Sequence, residues 1–570
     1  MNTSPSSSGI HLRVDAVSIA FRHRRVLTDV SFVASSGERI GLIGENGSGK
    51  STLLRIAAGI QTPDTGSVAI AGSRYAAKVG LLHQDAPFKP SDSIDTALET
   101  AVAAARAAVK DIDIYAEELA AHPDDVERSS AYATALERAD YLNAWDVDTR
   151  ISTTLAGIGL DSLERRRRVD MLSGGQRARL ALAWTLLSAP DVLLLDEPTN
   201  HLDDHAVEYL IRVLRAWKGP VLVASHDRAF LNTAVTGLLD LDAKPLPHAV
   251  TAGSDDGSGS GFGVTRFTGN YVEYLTLRAN ERERWERQYR DEQAELKKLR
   301  AGVRENQQVG HADWKPRSEV RMAQKFYADR NAKVVARRVN DTRSRLESLA
   351  KRQVRKPPNT LQFTGLTSAG FPMSVPDRAA IAVAAHEISV VGRLAPVSFT
   401  VRTGEKLLIT GANGSGKSTL LKVIARELPA DDGVLMLQPG HTVGLLQQEV
   451  AHAPWNEATN LTTAKEAYRS AVGSELASEI PLSTFGLLHP QDEYRPVTHL
   501  SLGQVRRLQL AIILADPPEI LLLDEPTNHL SLPLVSALEK AVPEYPGSVI
   551  IASHDRWLRD EWKGRIITIS

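Results

Sequence analysis

Lys50 and Ser51 end the string GENGSGKS, which begins at Gly44, and Lys417 and Ser418 end GANGSGKS, which begins at Gly411. A glycine-rich run of this spacing lets backbone N–H groups curl around phosphates at a helix N-terminus. The lysine then neutralises β/γ-phosphate charge, and the hydroxyl is a ligand for Mg²⁺. Two carboxylates follow in each half, Asp196 with Glu197 and Asp524 with Glu525, at the ends of the apolar runs VLLLDE and ILLLDE. The aspartate of such a pair holds the Mg²⁺ shell, and the glutamate is placed to polarise an attacking water. His226 and His554 each stand 30 positions after their aspartate, where they are expected to contact a γ-phosphate. Gln84 and Gln448 are expected to reach metal and water. Together these types describe Mg²⁺-dependent hydrolysis of a nucleoside triphosphate. A lone strand-end histidine or a glutamate in a salt bridge is the structural alternative at each position. Two P-loops, each followed by the same series, argue against it.

The elements that carry these residues are duplicated. VGLLHQD at Val79 matches VGLLQQE at Val443, LSGGQRARLALA at Leu172 matches LSLGQVRRLQLA at Leu500, and ASHDR at Ala224 matches ASHDR at Ala552. From Leu172 to His226 the second copy lies a constant 328 positions on, at Leu500 to His554. Each copy reads as α/β: apolar strands enter the glycine loop, and buried-strand runs end in carboxylates or histidine. Chemistry at the C-terminal ends of parallel strands is what such sheets favour. Gln84 and Leu172 are 88 positions apart, whereas Gln448 and Leu500 are 52 apart. The extra stretch includes TALETAVAAARAAVKDIDIYAEELAA, which is alanine-rich and predicts helix. It reads as a docking arm or a larger helical subdomain.

The chain has 570 residues, 42% apolar and 24% charged, as in soluble globular proteins. It has no cysteine, which excludes disulfides and thiolate metal sites and fits a reducing cytoplasm. The serine-rich start does not read as a signal peptide, and no apolar run approaches the ~18 residues of a membrane-spanning helix. The net charge of −2 hides an asymmetry: residues 271–360 hold 23 Lys+Arg against 13 Asp+Glu. An acidic body with a basic middle suits a polyanionic partner, although a solvated helical face gives the same count.

LSGGQ narrows the class. With the other motifs it resembles the ABC-type ATPases, in which this pentapeptide opens a helix and two domains pair head to tail. The resemblance implies that each ATP lies between one P-loop and the signature of the other domain. One site would use the loop Gly44, Asn46, Gly47, Ser48, Gly49, Lys50, Ser51 and Thr52, with Gln84, Asp196, Glu197 and His226, closed by Ser501, Gly503 and Gln504. The other would use Gly411, Asn413, Gly414, Ser415, Gly416, Lys417, Ser418 and Thr419, with Gln448, Asp524, Glu525 and His554, closed by Ser173, Gly174, Gly175 and Gln176. Ser51, Gln84 and Asp196, and Ser418, Gln448 and Asp524, would be the metal ligands. Three departures predict similar but unequal sites. Leu502 stands where the first signature has Gly174. Ser531 replaces the aspartate that the first half keeps as Asp203, in a loop that crosses the domain seam. Phe21 is the expected adenine-stacking aromatic of the first half, whereas the second offers Val390 or Val391, with Phe399 matching core residue Phe32.

Between the halves, a Gly/Ser-rich loop, GSDDGSGSGFG, precedes two helical runs, roughly Asn270 to Arg300 and Ser318 to Ala350. Gly302, Gly310 and Pro316 are expected to break the helix, and the LysProPro at 356–358 to stop the second run. Two helices of about 30 residues make a hairpin ~45–50 Å long. A basic hairpin between two such domains, DEPTNHL in both copies and FTGNYVEY at the linker entry resemble the ABC-F family. The implied architecture is a tail (residues 1–9), a first ATPase domain (10–262, arm about 88–145, flexible loop about 243–263), a hairpin linker (263–358) and a second ATPase domain (359–570). The resemblance implies a cytoplasmic monomer that binds the ribosome near the tRNA exit site, with no membrane or DNA partner. Domain closure on ATP would direct the hairpin at P-site tRNA and the peptidyl-transferase centre. His311, Trp314, Lys315, Arg317, Arg321, Phe326 and Tyr327 are the candidate tip contacts to rRNA or tRNA, by stacking and phosphate pairing. Packing of the hairpin turn is the alternative for the aromatics. The divergent second half favours the branch that protects ribosomes from antibiotics over a general translation factor. An ATPase subunit of a membrane transporter would not need the basic hairpin, and a DNA-repair ATPase would carry far longer coiled coils or zinc modules.

Overall fold

The computed structural model describes the chain apart from residues 1–8, 22–23, 45–46, 74, 83–86, 201, 243, 248–261, 309–320, 358–379, 413, 448–461, 491, 528–531 and 570. Each half pairs a parallel sheet with a three-stranded antiparallel one. In the first half the parallel strands lie in the spatial order Val79–Leu82, Val192–Asp196, Val221–Ala224, Arg39–Ile43 and Gly237–Asp240, with antiparallel Thr265–Thr268 at the edge. In the second the order is Val443–Leu446, Ile520–Asp524, Ser548–Ala552, Lys406–Thr410 and Arg565–Thr568. The strand that enters each P-loop thus lies beside the strand that ends in His.

These strands are buried on both faces, so they read as unbroken apolar runs rather than alternating ones. Side chains still alternate between two cores. Leu193, Leu195, Val221 and Val223 join the helical layer, whereas Val192, Leu194, Leu222 and Ala224 join the antiparallel sheet. The second half repeats this, with Leu521, Leu523, Val549 and Ile551 on one side and Ile520, Leu522, Ile550 and Ala552 on the other.

The long spacer of the first half folds as helices Ile94–Ala121 and Val126–Tyr141. Its counterpart in the second half is shorter, Ala464–Val472 and Ser474–Glu479. Ile94, Ala97, Leu98, Ala101, Val102, Ala105, Ala108 and Ile112 form the buried stripe of the longer helix. After Ile112 none of its residues is fully buried, although Tyr115 still packs against the core.

The middle of the chain forms helices Tyr271–Gln308 and Arg321–Arg352, packed along one another. The first runs through Gly302, where the sequence predicts a break. A Cβ there would lie 3.8 Å from Thr342 Cγ2 on the neighbouring helix. The long helix absorbs the roughly 1 kcal/mol that a mid-helix glycine costs. The 38-residue helix spans about 57 Å at ~1.5 Å per residue, longer than expected. Its base is tied to the first half. Tyr274 donates its hydroxyl to Asp240 (3.0 Å), Arg278 pairs with Asp240 (3.3 Å), and Trp285 Nε1 donates to the Arg355 carbonyl (2.8 Å). Farther out, Lys297, Lys298, Arg300, Arg337 and Arg338 are exposed. Among the described residues, no helix is long and apolar enough to cross a membrane.

Candidate nucleotide sites

Each P-loop joins a buried strand to an eight-residue helix, Lys50–Ala57 or Lys417–Ile424. Gly49 (φ 97°) and Gly416 (φ 95°) make the turn in the left-handed region. A Cβ on Gly416 would collide with the Arg393 carbonyl, so Gly416→Ala is expected to abolish nucleotide binding at that loop, measured by fluorescent-nucleotide titration. Lys50 Nζ donates to the Gly44 carbonyl (2.8 Å), and Lys417 Nζ donates to those of Gly411 (2.8 Å) and Ala412 (3.0 Å). Ser51, Thr52, Ser418 and Thr419 lie half-buried in the first helical turns. The hydroxyls of Ser48 and Ser415 are buried without a hydrogen-bond partner among the described residues.

The carboxylate pairs sit at the adjacent strand ends. Glu197 (φ 49°) and Glu525 (φ 47°) both adopt the left-handed conformation that side chains avoid, and each backbone N–H is held by a neighbouring strand carbonyl, Ala224 or Ala552, at 2.8 Å. The same strain at the same position in both halves marks a site that the surrounding fold enforces. The Glu197 side chain is 26% exposed and largely desolvated by the surrounding protein. That burial pushes its carboxyl up to about 8, against the pull of Lys50 and the His226 N–H. A carboxylate desolvated in this way is a stronger proton acceptor once ionised.

His226 Nε2 lies 3.5 Å from Glu197, and His554 Nδ1 lies 2.8 Å from Glu525. Burial opposes the charged form of His554, but the hydrogen bond and charge of Glu525 outweigh it and hold the imidazole above its ordinary range. Burial also pushes the Asp524 carboxyl up, partly offset by the Ser418 hydroxyl. Asp524 Oδ1 is buried without a hydrogen-bond partner among the described residues. A buried, unpartnered carboxylate oxygen beside a hard hydroxyl donor fits Mg²⁺.

The two signatures fold alike. Ser173 Oγ accepts from Gln176 N (3.2 Å) while Gln176 Oε1 accepts from Ser173 N (3.0 Å), and Ser501 with Gln504 repeats the box. This reciprocal cap starts each helix and still leaves each serine hydroxyl its proton to donate. Leu502 is 63% exposed, and a Cβ on Gly174 would meet nothing within 4 Å, so the leucine fits without disturbing the cap. Gly503 is buried, and Gly174 is exposed.

Phe21 ends its strand 47% exposed, as a stacking face must. At the matching strand end Val390 is buried in the core, and Val391 is the exposed residue at 84%. Phe399 and Phe32 are both core residues. Asn46, Gln84, Asn413, Gln448, Ser531, His311, Trp314, Lys315 and Arg317 lie outside the described residues. Arg321, Phe326 and Tyr327 fall on the second linker helix, and their side chains lie outside the described set.

Sequence reasoning missed the seam between the halves. Arg228, two residues after His226, reaches Glu539 with both guanidinium nitrogens, one of them at 2.9 Å, and lies 5.2 Å over the Trp557 ring. Linker residue Tyr271, fully buried, packs its ring 6.5 Å from Trp557. Across the seam, Arg556 (2.8 Å) and Arg559 (2.9 Å) hold Asp204, the neighbour of Asp203. Asp203 itself caps the helix Asp204–Ala216 through Ala206 N (2.9 Å). No motif announces these partners, which lie more than 280 residues apart. Arg228→Ala strands Glu539 and is expected to cost about 3–5 kcal/mol. Thermal melting should show a drop of several degrees, and Glu539→Gln should add little on top.

A family model described as "ABC transporter" matches residues 27–200 and 394–528. The chain is 36% identical to the tylosin resistance ATP-binding protein TlrC of Streptomyces fradiae over 99% of its own length and 97% of that protein. It is 31% identical to the energy-dependent translational throttle protein EttA of Haemophilus influenzae, covering 94% of this chain and 88% of that one. It is also 28% identical to ABC transporter F family member 5 of Arabidopsis thaliana, over 99% of this chain and 75% of that one. Among solved structures, the archaeal ribosome recycling factor aABCE1, in complex with the stalk protein aP1, aligns over 97% of this chain and 87% of that one (TM-score 0.56, 17% identity), a likeness of fold alone.

Two tandem ABC domains with this motif set make the chain an ATP-binding cassette ATPase. It belongs, more narrowly, to the ABC-F family.

Proposed function

We propose that the chain is a ribosome-acting ATPase that protects translation from an antibiotic. The observation that carries this reading is the end-to-end similarity to the tylosin resistance protein, at 36% identity, with the basic helical insert included in the match. Exposed Lys and Arg along the two linker helices suit dense RNA phosphate.

In this reading two ATP molecules lie between the halves, one held by Lys50 and approached by the Ser501 helix, the other held by Lys417 and approached by the Ser173 helix. Asp196 with Ser51, and Asp524 with Ser418, would hold Mg²⁺, which would supply charge neutralisation to the phosphates. Gln84 and Gln448 would complete these shells. Glu197 and Glu525 orient the attacking water and take its proton, while His226 and His554 steady the γ-phosphate and hold the glutamate. Each capped signature serine donates its free hydroxyl proton to a γ-phosphate oxygen across the seam. Closure on ATP moves the two halves as levers. Tyr271, packed edge-to-face against Trp557, sits where that motion meets the linker. The linker tip, with His311, Trp314, Lys315, Arg317, Arg321, Phe326 and Tyr327, then contacts rRNA or P-site tRNA at the peptidyl-transferase centre. The chain works as a cytoplasmic monomer whose own halves pair.

The test is expression in a susceptible host against a panel of ribosomal antibiotics that includes tylosin. A several-fold rise in the inhibitory concentration of at least one drug is expected. The 31% identity to the translational throttle protein favours a second reading, a general translation factor. Unchanged susceptibility to every drug would establish that reading over protection.

A further inference from the structure

Arg506 has no equivalent in the first half. It lies six residues after Leu500 in the second signature, and the position 328 residues earlier is Ala178. The next pair matches: Arg507 corresponds to Arg179, which donates to the carbonyls of Ile158 and Gly159. Arg506 is 3% exposed. Its guanidinium leaves the helix Leu502–Ala515 and donates to three carbonyls, those of Asp524 (2.9 Å), Glu525 (3.3 Å) and Gln447 (3.1 Å). The two terminal nitrogens make these three bonds, which offset part of the cost of burying the cation.

Each of the three carbonyls matters to the second site. Asp524 carries the unpartnered carboxylate oxygen. Glu525 holds the left-handed backbone at φ 47°, and the grip on its carbonyl and the preceding one opposes relaxation of that strain. Gln447 immediately precedes Gln448. The guanidinium is planar and its five donors are fixed in a fork, so it behaves as a rigid strut. One end of the strut is rooted in the helix whose capped start, Ser501, serves the first site. The other end holds the carboxylate turn of the second. The mirror path, from the Ser173 helix to Asp196 and Glu197, passes through Ala178, whose methyl group can hold no carbonyl.

We propose that Arg506 is a positioning residue that couples the two ATP sites in one direction: engagement of the second signature by ATP on the first P-loop aligns Asp524 and Glu525 for hydrolysis. This rests on the two-site reading above. The first site has no such dependence on the second, so hydrolysis at the second site waits on ATP bound at the first, not on its hydrolysis.

The experiment measures ATPase kinetics of the full chain in two backgrounds. Glu197→Gln leaves hydrolysis to the second site, and Glu525→Gln leaves it to the first. In the Glu197→Gln background, Arg506→Ala is expected to lower kcat at least tenfold with KM for ATP changed less than threefold, and Arg506→Lys to recover part of the loss. In the Glu525→Gln background the same change should lower kcat less than threefold. Arg506→Met keeps the buried aliphatic bulk and carries the comparison if the alanine variant does not fold. Equal losses in the two backgrounds, or no loss in the first, overturn the coupling. If the background variants themselves, with Arg506 intact, have no turnover, the independent two-site reading falls, and the coupling built on it falls too.

Discussion

Glu197→Gln combined with Glu525→Gln is expected to cut ATP turnover by about 10²–10⁴-fold while leaving ATP binding intact. Glutamine preserves the shape and keeps an oxygen for the N–H groups of His226 and His554, which lie 3.2 and 3.4 Å from the glutamate oxygens. It removes the base. Neither substitution touches Lys50, Lys417 or the capped signatures. The halves are therefore expected to close on ATP and not to reopen by hydrolysis. On ribosomes the doubly substituted chain should accumulate in the pelleted fraction with ATP and not with ADP. The two single substitutions should differ, because Leu502 and Arg506 occur in the second half alone. ATP-independent sedimentation, or none, would detach ribosome binding from domain closure.

Replacing Val303–Lys325 by a short turn is expected to leave ATPase activity within about twofold and to abolish the effect on ribosomes. Among the described residues, the contacts that root the linker lie below the cut. Tyr274 and Arg278 hold Asp240, Trp285 holds the Arg355 carbonyl, and Glu292 accepts from Val354 N at 2.7 Å. Tyr271 stays at the seam. The loss should therefore be one of reach, with the fold and both P-loops untouched. The measurement is drug susceptibility beside ATPase rate on the same variant. Retained protection would reduce the outer helices to a spacer, and lost ATPase activity would make them part of the closing mechanism.

The parts of the fold that were legible in the sequence are those where chemistry and burial agree. LLLDEPTNHL could be read as a buried strand delivering carboxylates because both faces of the strand are apolar and its end is not. The glycine loops were legible because a phosphate cradle demands glycine at fixed spacing. Gly302 misled because helix propensity is local, whereas the neighbouring helix that receives it is not. The seam was hidden for a stronger reason. Arg228 with Glu539, and Asp204 with Arg556 and Arg559, are ordinary charged residues whose pairing exists only once the two halves meet. Ser531 marked the halves as unequal from sequence, and it lies outside the described residues. Arg506 makes the same point with coordinates: only a comparison of the two halves sets it apart from Ala178, and only the fold shows the three carbonyls it holds.

The measurement that bears most directly on the central claim is cell-free protein synthesis stalled by tylosin, with the purified chain added. The account predicts that synthesis recovers when the chain and ATP are both present, and that the double Glu→Gln chain binds the same ribosomes without sustaining the recovery. If the chain neither binds ribosomes nor restores synthesis stalled by tylosin or by any other ribosomal antibiotic, the account is wrong.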